Sequence, residues 1–161
     1  MKYIKLTRGY FTIVDDEDFD WLNQWKWSAR KIGNTVYAAR SVKKPKSRNS
    51  VVVAMHREIL GLKDRLEYCD HIDHNGLNNQ RSNLRKCTPS QNIINIEKRA
   101  GTTSKFRGVC YYPNRDKFMA YISKDSRRHY LGWFHSEQDA AAAYNAKARE
   151  LHGEFATMND L

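Results

Sequence analysis

Seventeen residues in the middle of the chain, Cys69 to Arg85, hold two histidines, two aspartates and four asparagines. A hydrophobic core does not need that density of polar groups, because every buried donor or acceptor must find a partner. A site that holds a cation and moves a proton does need it. A hard divalent cation takes oxygen ligands and keeps open positions for water and phosphate oxygens. A neutral imidazole accepts a proton well near pH 7. Asp70 and His71 offer both chemistries side by side. On a strand they point to opposite faces, so a bend or an edge must aim both groups at one place. Asn75-Gly76 marks a tight turn, and Asn83-Leu84-Arg85 opens a returning strand. Thr88 is an N-cap, Pro89 suits the first helical turn and Gln91 completes a capping box. A helix therefore starts at Thr88, and Asn92 in its second turn is able to reach back toward Asp70. The order is strand, loop, strand, helix.

The run Asp-His-Ile-Asp-x-Asn-x-Leu-Asn-Asn-x-x-x-Asn-Leu-Arg, unbroken from Asp70 to Arg85, resembles the HNH nucleases. It is most similar to their homing-endonuclease branch with Asn in place of the last His. The resemblance implies a ββα-metal fold, cleavage of double-stranded DNA, and one Mg²⁺ or Mn²⁺ per active site. It implies His71 as general base and Asp70 as a metal ligand. Asn83, twelve residues after His71, holds the loop that orients it, and Asn92, twenty-one after, is the second metal ligand. One site per chain implies nicking unless two copies meet. His74 stands where the family usually has Gly. It is either a phosphate contact or incidental. Asn78 and Asn79 read as loop-bracing groups, and Arg85 as a supporting cation.

The elements around this stretch follow from periodicity. Residues 3–14 alternate and are rich in β-formers around Arg8-Gly9, a hairpin or bent strand. Asp15-Asp16-Glu17-Asp18 reads as a helix start with carboxylates at the positive end of the dipole, since it lacks the spaced ligands of a calcium loop. That helix runs to about Gln24 and buries Phe19 and Leu22. Trp25–Arg30 and Thr35–Arg40 are strands joined through Gly33-Asn34. The basic segment Lys43–Ser50, broken by Pro45, is a loop that either grips phosphates or is merely solvated. Val51–Leu62 begins as a strand and becomes a short helix. His56 within it is either structural or a supporting group. Residues 1–50 form a β-rich segment without a catalytic residue, and 51–100 form the nuclease domain. Ala100-Gly101-Thr102-Thr103-Ser104 marks the boundary.

The last third repeats a strand signal over Phe106–Tyr112, Lys117–Ser123 and Arg128–Phe134, then a helix capped by Ser136 and ended by Gly153. Phe106-Arg107-Gly108-Val109, Leu131-Gly132-Trp133-Phe134, the run Ala140–Tyr144 and Gly153-Glu154-Phe155-Ala156 resemble an AP2 DNA-binding domain over residues 104–159. The resemblance implies a three-stranded sheet laid in the major groove, with Arg107, Lys117, Arg128 and Tyr130 as contacts. Cys110, Tyr112 and Ser123 replace arginines of plant members, and Arg115 sits in a one-residue insertion. The target sequence therefore does not carry over. The fold class expected for the whole chain is α+β.

Composition agrees. Lys and Arg outnumber Asp and Glu by 28 to 18, a net charge of +10, which suits a polyanionic partner. No apolar run approaches the roughly 20 residues that cross a bilayer. Met1–Lys5 carries no signal-peptide core, so a cytoplasmic location in a prokaryotic or phage-infected cell is expected. The three cysteines form no Cys-x-x-Cys pair, which points to reduced thiols rather than a disulfide framework or zinc cage. No heptad or exposed apolar helix asks for a protein partner.

Overall fold

The computed structural model describes residues 1–43, 49–64, 66–94, 103–125 and 127–161. The basic segment at 44–48, the boundary residues 100–102 and the turn residue Ser126 lie outside them. The architecture is mixed α+β, built on small antiparallel sheets with few helices. Two compact units form, Met1–Asn92 and Ile93–Leu161. No helix among the described residues is long and apolar enough to cross a membrane.

In the first unit, β1 (Lys2–Lys5) and β2 (Phe11–Val14) make an antiparallel hairpin. Its turn uses positive φ at Arg8 (61°) and Gly9 (75°). Helix α1 (Asp16–Asn23) follows, with three carboxylates in its first turn. Strands β3 (Ser28–Ile32), β4 (Thr35–Lys43) and β5 (Ser50–Ala54) form an antiparallel sheet in the order β3-β4-β5. Helix α2 (Met55–Ile59) leaves that sheet directly. Strands β6 (Tyr68–His71) and β7 (Leu84–Cys87) then pair antiparallel, His71 opposite Leu84 and Asp70 opposite Arg85. Helix α3 (Pro89–Ile94) starts in a reciprocal capping box. The Gln91 N–H donates to Thr88 Oγ1 at 3.2 Å, and the Thr88 N–H donates to Gln91 Oε1 at 2.7 Å.

One core serves this unit. Ile4, Val14, Leu22, Trp27, Met55 and Leu84 are buried in a single cluster. They come from β1, β2, α1, the segment before β3, α2 and β7. The residues before position 50 and those after it therefore share one sheet and one core. Trp27 fills the centre, and its indole N–H donates to the Leu22 carbonyl at 2.8 Å, which removes the cost of burying that donor.

In the second unit, β8 (Val109–Tyr112), β9 (Lys117–Lys124) and β10 (Arg127–Phe134) form an antiparallel sheet in the order β10-β9-β8. Helix α4 (Glu137–His152) covers one face. Ser136 Oγ accepts from the Asp139 N–H at 3.0 Å, and Gly153 at φ +54° ends the helix. Ala140, Ala141 and Ala148 are buried, so the helix lies close on Val109, Ala120 and Ile122. The first strand begins at Val109, three residues later than alternation predicts. Gly108 takes φ +71°, and a Cβ there would lie 2.2 Å from the Tyr144 ring. Residues 106–108 bend around the helix instead of extending.

A shared core makes a checkable claim. Leu22→Ala should cost about 2–5 kcal/mol in urea unfolding, and amide exchange should accelerate in β6 and β7 together with β1 to β4. Acceleration confined to β1–β4 would show two separate cores.

Candidate functional site

The loop between β6 and β7 contains little regular structure, so side chains must satisfy its backbone. Asn83 does most of this. Its Oδ1 accepts from the Asp73 N–H at 3.0 Å, and its Nδ2 donates to Asp73 Oδ1 and to the Asn78 carbonyl, both at 2.8 Å. Asp73 also takes the Asn75 N–H at 2.9 Å and Asn78 Nδ2 at 2.7 Å. Partial burial pushes the Asp73 carboxyl up, but these donors outweigh it and hold it below the usual range. His74 takes φ +61°. A glycine fits that left-handed geometry without strain, so the structure gives a backbone reason for the glycine that the HNH pattern has there. Gly76 is needed for space instead. A Cβ on it would meet the Tyr37 ring and the Val36 carbonyl at 2.6 Å each.

The loop is also tied to the start of the chain. The Ile13 N–H donates to the Leu77 carbonyl at 2.9 Å, and the Asn79 N–H donates to the Ile13 carbonyl at 2.8 Å. Asp15 accepts from the Arg81 N–H (2.8 Å) and from Gln80 Nε2 (3.1 Å). Buried Asp18 takes the Arg81 guanidinium in a two-point pair at 2.7 Å. The acidic run thus opens α1 and also anchors the loop.

His71 ends β6 and is only 6% exposed. Its Nε2 lies 3.3 Å from Asn79 Oδ1. The His56 ring meets it edge-on at 5.0 Å, and the Tyr37 ring lies 5.8 Å from both. Burial lowers the His71 pKa, partly offset by the Asn79 hydrogen bond and by Asp73 and Asp70. His56 is pushed down to about 3 by burial, with His71 and Arg57 adding to the shift. Its Nδ1 is buried with no hydrogen-bond partner among the described residues.

Asp70, 7% exposed, faces away from His71 toward Arg85, whose Nη2 and Nε lie 2.8 and 3.1 Å from Asp70 Oδ2. Asn92 is half-buried in α3, and its N–H donates to the Thr88 carbonyl at 2.9 Å. The donor chemistry of a carboxylate with an amide oxygen, and no thiolate, fits a hard divalent cation. Cys69 and Cys87 flank this ribbon, and burial raises their thiols to about 12 and about 11, so both stay protonated.

In the second unit, the face of the sheet away from α4 carries Lys117, Arg128 and Tyr130, with Tyr130 67% exposed. A bulge between Tyr130 and Gly132 shifts the alternation, so Trp133 joins them on that face. The Arg115 guanidinium stacks 4.6 Å from the Trp133 ring, and that of Arg128 lies 4.5 Å from Tyr121. Arg107 precedes β8 and its Nη1 donates to the Ile94 carbonyl at 3.3 Å.

Comparison with known proteins gives the arrangement a family. Over 159 residues, 96% of this chain and 77% of the relative, it is 33% identical to an uncharacterized HNH endonuclease, L560, of Acanthamoeba polyphaga mimivirus. The chain belongs to the HNH endonuclease family. Protein 3.8 of Escherichia phage T7 is 32% identical over 89 residues, 55% of this chain and 73% of that protein. An AP2/ERF and B3 domain-containing transcription repressor of Arabidopsis thaliana, TEM1, is 34% identical over 70 residues, 44% of this chain but 19% of that protein. No family profile matches the chain.

For this HNH chain, the sequence does not show that Tyr37 and Asn79 meet the imidazole, or that Thr12 stands behind Asn79. Tyr37 was part of a strand signal, Thr12 part of an alternating run, and Asn79 a loop brace. The hint lay in Asn79 itself, one of three asparagines that follow Gly76 within the motif.

His56 supplies a pH test. Folded, it stays neutral down to about pH 3, while an unfolded histidine takes a proton near its ordinary pKa of 6.5. Between those values the unfolded chain binds more protons, so stability falls as pH falls. Urea unfolding of His56→Phe should lose less stability than wild type from pH 6.5 to 4. Parallel curves would remove His56 as a source of the acid sensitivity.

Proposed function

We propose that this HNH-family chain is a metal-dependent endonuclease that hydrolyses phosphodiester bonds in double-stranded DNA, nicking one strand per active site. The observation that carries the reading is His71: a buried imidazole with a lowered pKa, one residue from a carboxylate, at the end of a strand where a braced loop begins. Its neutral form takes the proton from an attacking water at pH 7. Asn83 holds the loop that presents it. Asp70 and Asn92 are the residues that would hold one Mg²⁺ or Mn²⁺, which when bound stabilises charge on the phosphate and the departing 3′ oxygen. Arg85 fixes the Asp70 carboxylate and adds positive charge beside the phosphate path. His56 and Tyr37 wall the imidazole, and His74 serves the turn. The expected products carry 5′-phosphate and 3′-hydroxyl ends, as in the family that the chain resembles.

The second unit holds the DNA in this reading. Lys117, Arg128 and Tyr130, with Arg115 leaning on Trp133, give an open basic and aromatic face that suits a groove. Arg107 is included in the contact set on resemblance to AP2 domains. The same face, with the TEM1 match, favours the second reading: a DNA-binding protein that does not cut. No protein partner and no membrane enter either reading. With a viral relative and a phage relative, the chain would act in the cytoplasm of an infected cell.

Supercoiled plasmid incubated with Mn²⁺, with and without chelator, separates the two. Nicking that chelator stops and that His71→Ala and Asp70→Ala abolish, with DNA affinity kept, supports the enzyme. Duplex binding without nicking in any divalent metal supports the binder. Arg128→Ala should weaken site binding by about 1–3 kcal/mol in a titration at fixed salt. Unchanged affinity would take Arg128 out of the interface.

A further inference from the structure

Thr12 and Asn79 are polar, and each is 0% exposed. Groups buried that deeply must be matched atom by atom, and here the matching dictates orientation. The Thr12 hydroxyl donates to the Leu77 carbonyl at 2.7 Å. Its one hydrogen is spent there, so toward Asn79 it accepts, from Nδ2 at 2.7 Å. The same Nδ2 also donates to the Gly76 carbonyl at 3.5 Å. Both partners demand nitrogen on that side of the amide. The oxygen is therefore the atom 3.3 Å from His71 Nε2. An amide oxygen only accepts, so Nε2 must donate. A neutral imidazole carries one N–H, which leaves the lone pair on Nδ1. A flipped amide would set an oxygen against the Gly76 carbonyl and press a donor on Nε2. The two backbone bonds from Ile13 on either side of Asn78 hold Asn79 in place.

We infer that Asn79, oriented by Thr12 of the N-terminal hairpin, is the positioning residue that fixes His71 as the Nε2–H tautomer with Nδ1 as its basic nitrogen. The inference rests on the reading of His71 as the base, and it gives the first fifty residues a part in the chemistry. Thr12 touches no substrate; it acts through Asn79. Without the hydroxyl the amide is free to turn, the tautomers mix, and a fraction of molecules presents an N–H where a lone pair is required.

The test uses the full chain, free of metal and DNA, with ¹⁵N-labelled histidine. Long-range ¹H–¹⁵N correlations of neutral His71 should show the proton on Nε2. An Nδ1–H form or a mixture in the wild type overturns the inference, and this measurement needs no variant. Thr12→Val keeps the shape and removes the hydroxyl. It should give mixed tautomers and lower the turnover number about tenfold, the order expected for one buried hydrogen bond. KM for plasmid should not change, and Thr12→Ser should restore both properties. Wild-type tautomer and turnover in Thr12→Val overturn the role of Thr12. Nicking that survives His71→Ala instead removes His71 as the base, and it leaves the tautomer result standing on its own.

Discussion

Asn83 and Asp73 clasp each other across the loop through backbone and side chain, and this clasp is the constraint on which the site depends. A loop between two short strands exposes donors and acceptors that no ladder satisfies, and each one buried without a partner costs about 1–3 kcal/mol. Asn83 has both polarities on one short side chain. It takes the Asp73 N–H and returns two donors to Asp73 and the Asn78 carbonyl. An aspartate offers no donors for that second half, and a leucine offers nothing. With the clasp closed, the chain two residues after His71 has one path, and the imidazole at the end of β6 has one direction.

The clasp alone would leave the loop attached only to its own ribbon. The N-terminal half supplies the rest. Strand β2 bonds the loop on both sides of Asn78, and the carboxylates of Asp15 and Asp18 hold Gln80 and Arg81. Strand β4 brings Tyr37 against Gly76 and the two imidazoles. Local stability follows the density of such ties. In the proposed reading the imidazole is a general base, which needs a fixed direction more than a strong bond to any one neighbour, and the loop beside it is tied from three elements at once.

Much of this was legible in the sequence because it was local. The capping box at Thr88, the hairpin at Gly33-Asn34, the helix at Ser136 and the strand–loop–strand–helix order around Asp70 all follow from residues close in the chain. What escaped was long-range pairing. Nothing near Thr12 says that its hydroxyl meets Asn79, 67 positions away. The acidic run read correctly as a helix start, yet its reach to Arg81 was invisible from its own neighbours. In the last third, strict alternation places Arg128 and Tyr130 on one face and Trp133 on the other. The bulge at Leu131 inserts one residue and brings all three together. A bulge is a fact of two strands in register, and one strand's sequence does not declare it.

The ion pair between Asp70 and Arg85 argues for function over stability. Both side chains are largely withdrawn from water, at 8% and 13% exposure. Removing two charges from water costs about what their attraction returns, so an apolar pair of similar size would hold β6 to β7 as well or better. The Tyr68–Cys87 pair, two positions along the ribbon, already shows that it accepts uncharged partners. What an apolar pair cannot do is hold an oriented carboxylate out of water on the same strand that ends in a buried imidazole. Burial lowers the pKa of His71 and would expel Asp70 were no cation beside it. The guanidinium resolves that conflict, and in the proposed reading a neutral base and a charged ligand then stand one residue apart on one short strand.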